Sequence, residues 1–236
     1  MSFVPCSRWK DDLVSQDNLR WGPIMAILLL AVCGCAQAQT PNQPHSPNPK
    51  PTAATVEPWE YSLTVDGYII AGEDGYASPT ITADRNWLHL EARYNYENLR
   101  TGSLWAGYNF SWGKTWQFAV TPMIGGVFGR TNGIAPGCEA SIAYKKVTLS
   151  IDNEYVFDTT SKDGNFYYAW PQLTYQPLQW LKVGLVAQRT KAFQTPVDIQ
   201  RGFLVGFAHK KLEFTTYVFN PGFTDTSVVL EVGASF

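Results

Sequence analysis

From Trp59 to Phe236 the chain is a succession of short segments in which apolar and polar residues alternate, broken by turn residues and almost free of helical periodicity. A period of two marks strands with one buried and one solvated face. The clearest segment is 87–97. One face there carries Leu88, Leu90, Ala92, Tyr94 and Tyr96, and the other Trp87, His89, Glu91, Arg93 and Asn95. In 103–112, Leu104, Ala106, Tyr108, Phe110 and Trp112 oppose Ser103, Trp105, Gly107, Asn109 and Ser111. Strands are predicted over 59–71, 76–83, 87–97, 103–112, 116–128, 136–145, 147–157, 165–176, 180–190, 198–208, 212–219 and 227–236. Pro79 makes 76–83 the weak one, because proline cannot donate to a ladder. The last segment has one nearly pure apolar face, formed by Val228, Leu230, Val232, Ala234 and Phe236.

Alternation alone fits a soluble sandwich as well as a membrane barrel. Three features favour the barrel. Several apolar faces end in Tyr, Trp or Phe, as an interfacial girdle requires, and the polar faces are rich in Gly, Ser and Asn, unlike the Lys- and Glu-bearing outside of a sandwich. Charged residues make up 16% of the chain, against about 25% in a typical soluble domain, while aromatics reach 14% with nine Trp. The expected fold is all-β, an antiparallel transmembrane up-and-down barrel. Twelve strands fit best, with ten as the alternative if two weak segments merge or drop out. Short turns near 84–86, 113–115, 145–146, 176–179 and 209–211 mark one end. The loops at the other end are only modestly longer, which weakens a receptor or adhesin reading.

The front of the chain predicts export. Residues 24–35 form an uninterrupted apolar run, too short to span a bilayer as a helix but of signal-peptide length, followed by Ala36-Gln37-Ala38. Cleavage after residue 38 of 236 leaves 198, enough for one domain. Three aspartates (Asp11, Asp12, Asp17) precede Arg20, so the true start can lie downstream of Met1. Acylation at Cys33 or Cys35 is the alternative, on a partial lipobox match. Residues 39–58 are Pro-rich and polar, an extended periplasmic linker ahead of a barrel over 59–236. Only Cys138 remains in the mature chain, so no disulfide framework and no metal-ligand spacing is expected.

The alternating final strand ending on Phe236 resembles the closing strand of bacterial outer-membrane β-barrels, and the whole chain resembles their small monomeric channel-type members. That resemblance implies recognition by the outer-membrane assembly machinery through Phe236, Val232 and Leu230. It also implies residence among outer-membrane lipid and lipopolysaccharide, and passive passage of small polar solutes or ions. No motif fixes a subfamily or a solute, and neither a cofactor nor a nucleic-acid partner is expected.

Motifs for catalysis are weak. The stretch from Gly107 to Thr115 has five residues between its glycines where a phosphate-binding loop needs four, and it lies in a strand and turn. His89, flanked by Glu91 and Arg93, reads as part of an ion network rather than as a base for a Ser nucleophile. The polar faces carry the functional signal. Alternation sends Glu60, Asp66, Glu91, Glu139, Asp152, Glu154, Glu213 and Glu231 into the lumen with His89, Arg93, Lys145 and Lys182. Charges of both signs inside a wall imply water, hence a narrow channel with an acidic bias. Arg189 and Arg201 fall in the lipid-facing register near the external ends of adjacent strands, suited to lipopolysaccharide phosphates. Three rivals stay open: a structural barrel with a closed lumen, a lipid-modifying barrel enzyme, and a secreted soluble β-barrel binder.

Overall fold

The computed structural model describes residues 57–70, 74–192, 198–223 and 226–236. The signal peptide and nearly all of the linker expected above lie outside the described residues. The described chain forms β1 (Glu60–Ile70), β2 (Tyr76–Arg85), β3 (Leu88–Tyr94), β4 (Thr101–Tyr108), β5 (Phe110–Trp112), β6 (Trp116–Gly129) and β7 (Gly133–Tyr144). It continues with β8 (Val147–Asp158), β9 (Phe166–Leu178), β10 (Leu181–Ala192), β11 (Asp198–His209), β12 (Leu212–Phe219) and β13 (Ser227–Ser235). Among the described residues a 3-10 turn, Lys162–Gly164, precedes β9.

Apart from β4 and β5, each strand pairs antiparallel with its neighbours in sequence, and β1 pairs with β13 over Ser62–Ile70, which closes the sheet. Both β4 and β5 pair with β6, so they are two halves of one wall strand interrupted at Asn109. The wall is therefore a closed barrel of twelve strands, and the ten-strand alternative is excluded. Closure matters physically because it leaves no unpaired edge, the condition for a β-structure in hydrocarbon. Pro79 is accommodated opposite Val65 on β1, while the β2–β3 ladder begins only at Thr80. Its missing N–H thus costs no rung of that ladder.

Strand ends differ from the expected ones where side chains cap the backbone. β3 stops at Tyr94, not 97, because Asn95 takes a left-handed φ of +59°. The Asn95 side chain donates to the Ala77 carbonyl at 2.9 Å and accepts from the Arg100 N–H at 2.8 Å. Asn is among the few residues that tolerate this conformation.

The pleat sorts side chains to two surfaces. Outward go Ile81, Leu90, Leu104, Ile124, Ile134, Leu149, Leu173, Leu185, Phe203 and Leu230, all substantially exposed. Near the short turns, Trp87 stacks on Tyr108, Trp112 on Phe118, Trp116 on Tyr144 and Trp180 on Phe207. A continuous apolar wall ringed by aromatics is matched to hydrocarbon, not to water.

The interior is divided along its length. At the end carrying the longer loops it is packed dry: Tyr68, Tyr168, Trp170, Val186, Leu204, Tyr217, Phe219 and Val229 form one cluster. Trp105, Met123, Val127, Ala135 and Val156 form a second, and Phe166 packs against both. At the short-turn end the inner face carries small polar residues that remain partly accessible, among them Ser62, Thr82, Ser141, Thr148 and Gln172. A twelve-strand interior, wider than one of eight strands that side chains nearly fill, stays open at the turn end only. At the loop end large aromatic rings occupy the space.

Candidate functional site: a charged and aromatic constriction

Where the dry half meets the polar half, Arg93 on β3 is the hub. Its Nη1 donates to Glu154 Oε2 on β8 at 2.9 Å, and its Nη2 to Glu91 Oε2 at 2.8 Å. Glu139 Oε1 on β7 lies 3.8 Å from the same Nη2. The guanidinium carbon is 4.3 Å from the Tyr96 ring centroid and 4.6 Å from that of Trp105, so two aromatic rings attend the charge. Arg suits such a place because a planar, weakly hydrated cation stacks and forks at once. Glu91 and Glu154 are as buried as Arg93 itself.

Room for this arrangement comes from glycine. A Cβ on Gly125 would lie 2.4 Å from the Trp105 ring, and one on Gly137 3.0 Å from it. Gly125 therefore forms a cradle for the indole. The indole N–H reaches Ser103 Oγ at 2.9 Å, and Ser103 Oγ in turn donates to Glu97 Oε1 at 2.5 Å.

From the hub a chain of rings crosses the lumen. Tyr96 meets Tyr168 edge-on at 5.7 Å, and Tyr168 lies 6.4 Å from Trp170. Trp170 meets Tyr217 and Phe219 edge-on at 5.4 and 5.2 Å. These contacts join the β3–β4 loop to β9 and β12, strands distant around the wall. On the far side Tyr217 donates to Glu231 Oε2 at 2.9 Å. Lys182 pairs with Glu213, which also accepts from Thr215 at 3.4 Å. Asp66 and Glu231 stand directly opposite each other on β1 and β13, an acidic pair on the inner face.

The interior thus receives His89, Glu91, Arg93, Glu139, Asp152, Glu154, Lys182, Glu213 and Glu231, and it brings the first six around one point. Lys145 does not line it: the residue occupies the β7–β8 turn with φ +56°, exposed, its Nζ 5.1 Å from the Tyr144 ring. The alternation that assigned Lys145 to the lumen ends at Tyr144, where the chain reverses. Arg189 and Arg201 are exposed on the outer face near the loop end, on paired strands with Arg201 opposite Ala187. Leu230, Val232 and Phe236 are exposed and outward, and the Phe236 N–H donates to the Tyr61 carbonyl at 2.9 Å.

Two buried or half-buried acids escape a reading by alternation. Asp84 closes β2 beside a turn, yet it faces inward, accepting from Asn109 at 2.8 Å and contacting His89 Nδ1 at 2.8 Å. Glu97 lies in the β3–β4 loop and folds back inside. The aromatic lining had a signal: Tyr68 shares a face with Asp66, and Tyr217 with Glu213.

No family model matches the chain, and no curated protein matches it. Among solved structures it is similar to the KdgM porin in complex with disordered oligogalacturonate, with a TM-score of 0.57 and 15% identity over 74% of this chain and 99% of that one. A further KdgM porin structure gives 0.56 and 14% over the same shares. At this identity the likeness is one of fold, and it spans essentially the whole of the porin barrel.

Proposed function

We propose that the chain is a narrow passive channel of the bacterial outer membrane for small polar solutes or ions, with its loop end outward and its chain ends in the periplasm. One observation carries the reading. A barrel that is apolar outside holds Arg93, Glu91, Glu154, Lys182 and Glu213 inside, and charges at that depth are retained where ions or polar solutes pass. The likeness to a porin over its full length supports it. The rings from Trp105 to Phe219 are then the constriction, and conduction requires them to part. Acids outnumber bases on the inner face, so the solute is cationic or neutral. A polyanion such as the porin's oligogalacturonate would meet like charge here. Catalysis is no part of this reading, and His89 serves the ion network. Outer-membrane lipid, lipopolysaccharide at Arg189 and Arg201, and the assembly machinery at the β13 end are the partners proposed with it.

A structural barrel with a closed lumen is the second reading, and the near-zero exposure of Leu204, Phe219 and Val229 favours it. Conductance decides. The full chain, purified from outer-membrane fractions and shown folded by a heat-dependent gel shift, is added to a planar bilayer. Steps of one size with a cation-selective reversal potential support the channel. Silence from inserted, folded protein removes it in favour of the closed barrel.

A further inference from the structure

We propose that His89, Glu91 and Glu139 form a binding site for a divalent transition-metal ion inside the barrel, independent of whether the barrel conducts. Their candidate ligand atoms all lie within 4.8 Å of one another. His89 is 5% exposed, and its Nε2 has no hydrogen-bond partner among the described residues. That nitrogen points at Glu91 Oε2, 3.6 Å away. Ligands bound at ~2.0–2.2 Å around a tetrahedral ion stand roughly 3.4 Å apart, so this edge is already near the required length.

The tautomer strengthens the assignment. Asp84, an acceptor, holds His89 Nδ1 at 2.8 Å, so Nδ1 carries a proton and Nε2 is the nitrogen left to meet Glu91. Nε2 and the carboxylate oxygen face each other in a buried place, where either a second proton on the ring or a metal ion that displaces it lies between them. Asp84 is itself oriented, accepting from the Asn109 side chain at 2.8 Å, while Asn109 accepts from Thr121 at 2.7 Å. A carboxylate behind a ligating histidine is the usual support of a metal site. Gly107 lies opposite His89 on β4 and contributes no side chain of its own beside the imidazole. Charge points the same way, since among the described residues Arg93 is the one permanent cation paired with Glu91, Glu139 and Glu154. Arg93 shares Glu91 Oε2 with the site, which limits affinity without blocking the histidine or Glu139. The half-exposed Glu139 leaves a face open to water or solute. Imidazole with two carboxylates selects Zn²⁺, Co²⁺ or Ni²⁺ over Mg²⁺ or Ca²⁺.

The full chain in detergent, folded by gel shift, stripped with EDTA and with its thiols alkylated, is titrated with Zn²⁺ by calorimetry and with Co²⁺ by visible absorption. One equivalent is expected, with d–d bands of a nitrogen–oxygen site. His89→Ala abolishes binding, Glu139→Gln weakens it at least tenfold, and His209→Ala leaves it unchanged. Glu139→Gln alters a half-exposed side chain and keeps the test available if His89→Ala fails to fold. Absence of a one-to-one site in the folded wild type, or a site insensitive to Glu139→Gln, overturns the proposal.

Discussion

Replacing Arg93 by Met tests whether the constriction is as dry as its geometry implies. Met has comparable reach and no charge, so the change deletes two charge-assisted hydrogen bonds, at 2.8 and 2.9 Å, and two cation–ring contacts. The partners left behind decide the magnitude. Glu91 and Glu154 have side chains only 4% and 3% exposed, and breaking a buried ion pair from one side costs about 3–5 kcal/mol because a charge is stranded. The lost ring contacts add about 1–2 kcal/mol in a desolvated place, which Met packing between Tyr96 and Trp105 largely offsets. A net loss of about 3–5 kcal/mol is expected. Urea unfolding in detergent, followed by tryptophan fluorescence and the gel shift of the folded form, measures it. Glu154→Gln in the Arg93→Met background should recover about 1–3 kcal/mol by removing one stranded charge. A loss below about 1 kcal/mol with an intact barrel would refute the reasoning, since it would mean that water already reaches both carboxylates.

Other perturbations probe the remaining parts. Gly125→Ala drives a methyl group to within 2.4–2.7 Å of the Trp105 ring and should cost about 1–3 kcal/mol; Trp105→Leu in the same chain should remove most of that cost, measured by the same unfolding curves. Trp170→Ala with Phe219→Ala deletes the far end of the ring bridge and should enlarge the single-channel step severalfold, whereas an unchanged step would place the conduction limit elsewhere. Asp66→Asn with Glu231→Gln removes two acids that stand opposite each other and should shift the reversal potential away from cation preference. Arg189→Ala with Arg201→Ala should weaken retention of lipopolysaccharide on the purified barrel without moving its unfolding midpoint, because both side chains are exposed.

The wall was legible because a strand writes its two faces into the sequence at a fixed period. Even Pro79, which counted against 76–83, proved compatible once the β2–β3 ladder began one residue later. The charged lining followed from the same parity, and Lys145 failed where parity was carried past a reversal of the chain. What parity cannot report is depth. Tyr68, Trp105 and Tyr217 lie in the polar register beside Asp66, Ser103 and Thr215, so their inward direction could be read from the sequence. Their packing could not, because it depends on which rings from distant strands and loops meet across a curved wall, as Trp170 and Tyr217 do. The same limit hid the grouping of His89 with Glu139. The two residues belong to strands separated by β4 and β6, and a metal spacing sought along the chain finds nothing. In a closed barrel the local pattern assigns each side chain to the inner or outer surface, but the strand number and the glycines set which inner side chains meet. Gly125 and Gly137 are therefore as much a part of the constriction as Arg93, since without the space they leave, Trp105 could not lie beside the guanidinium.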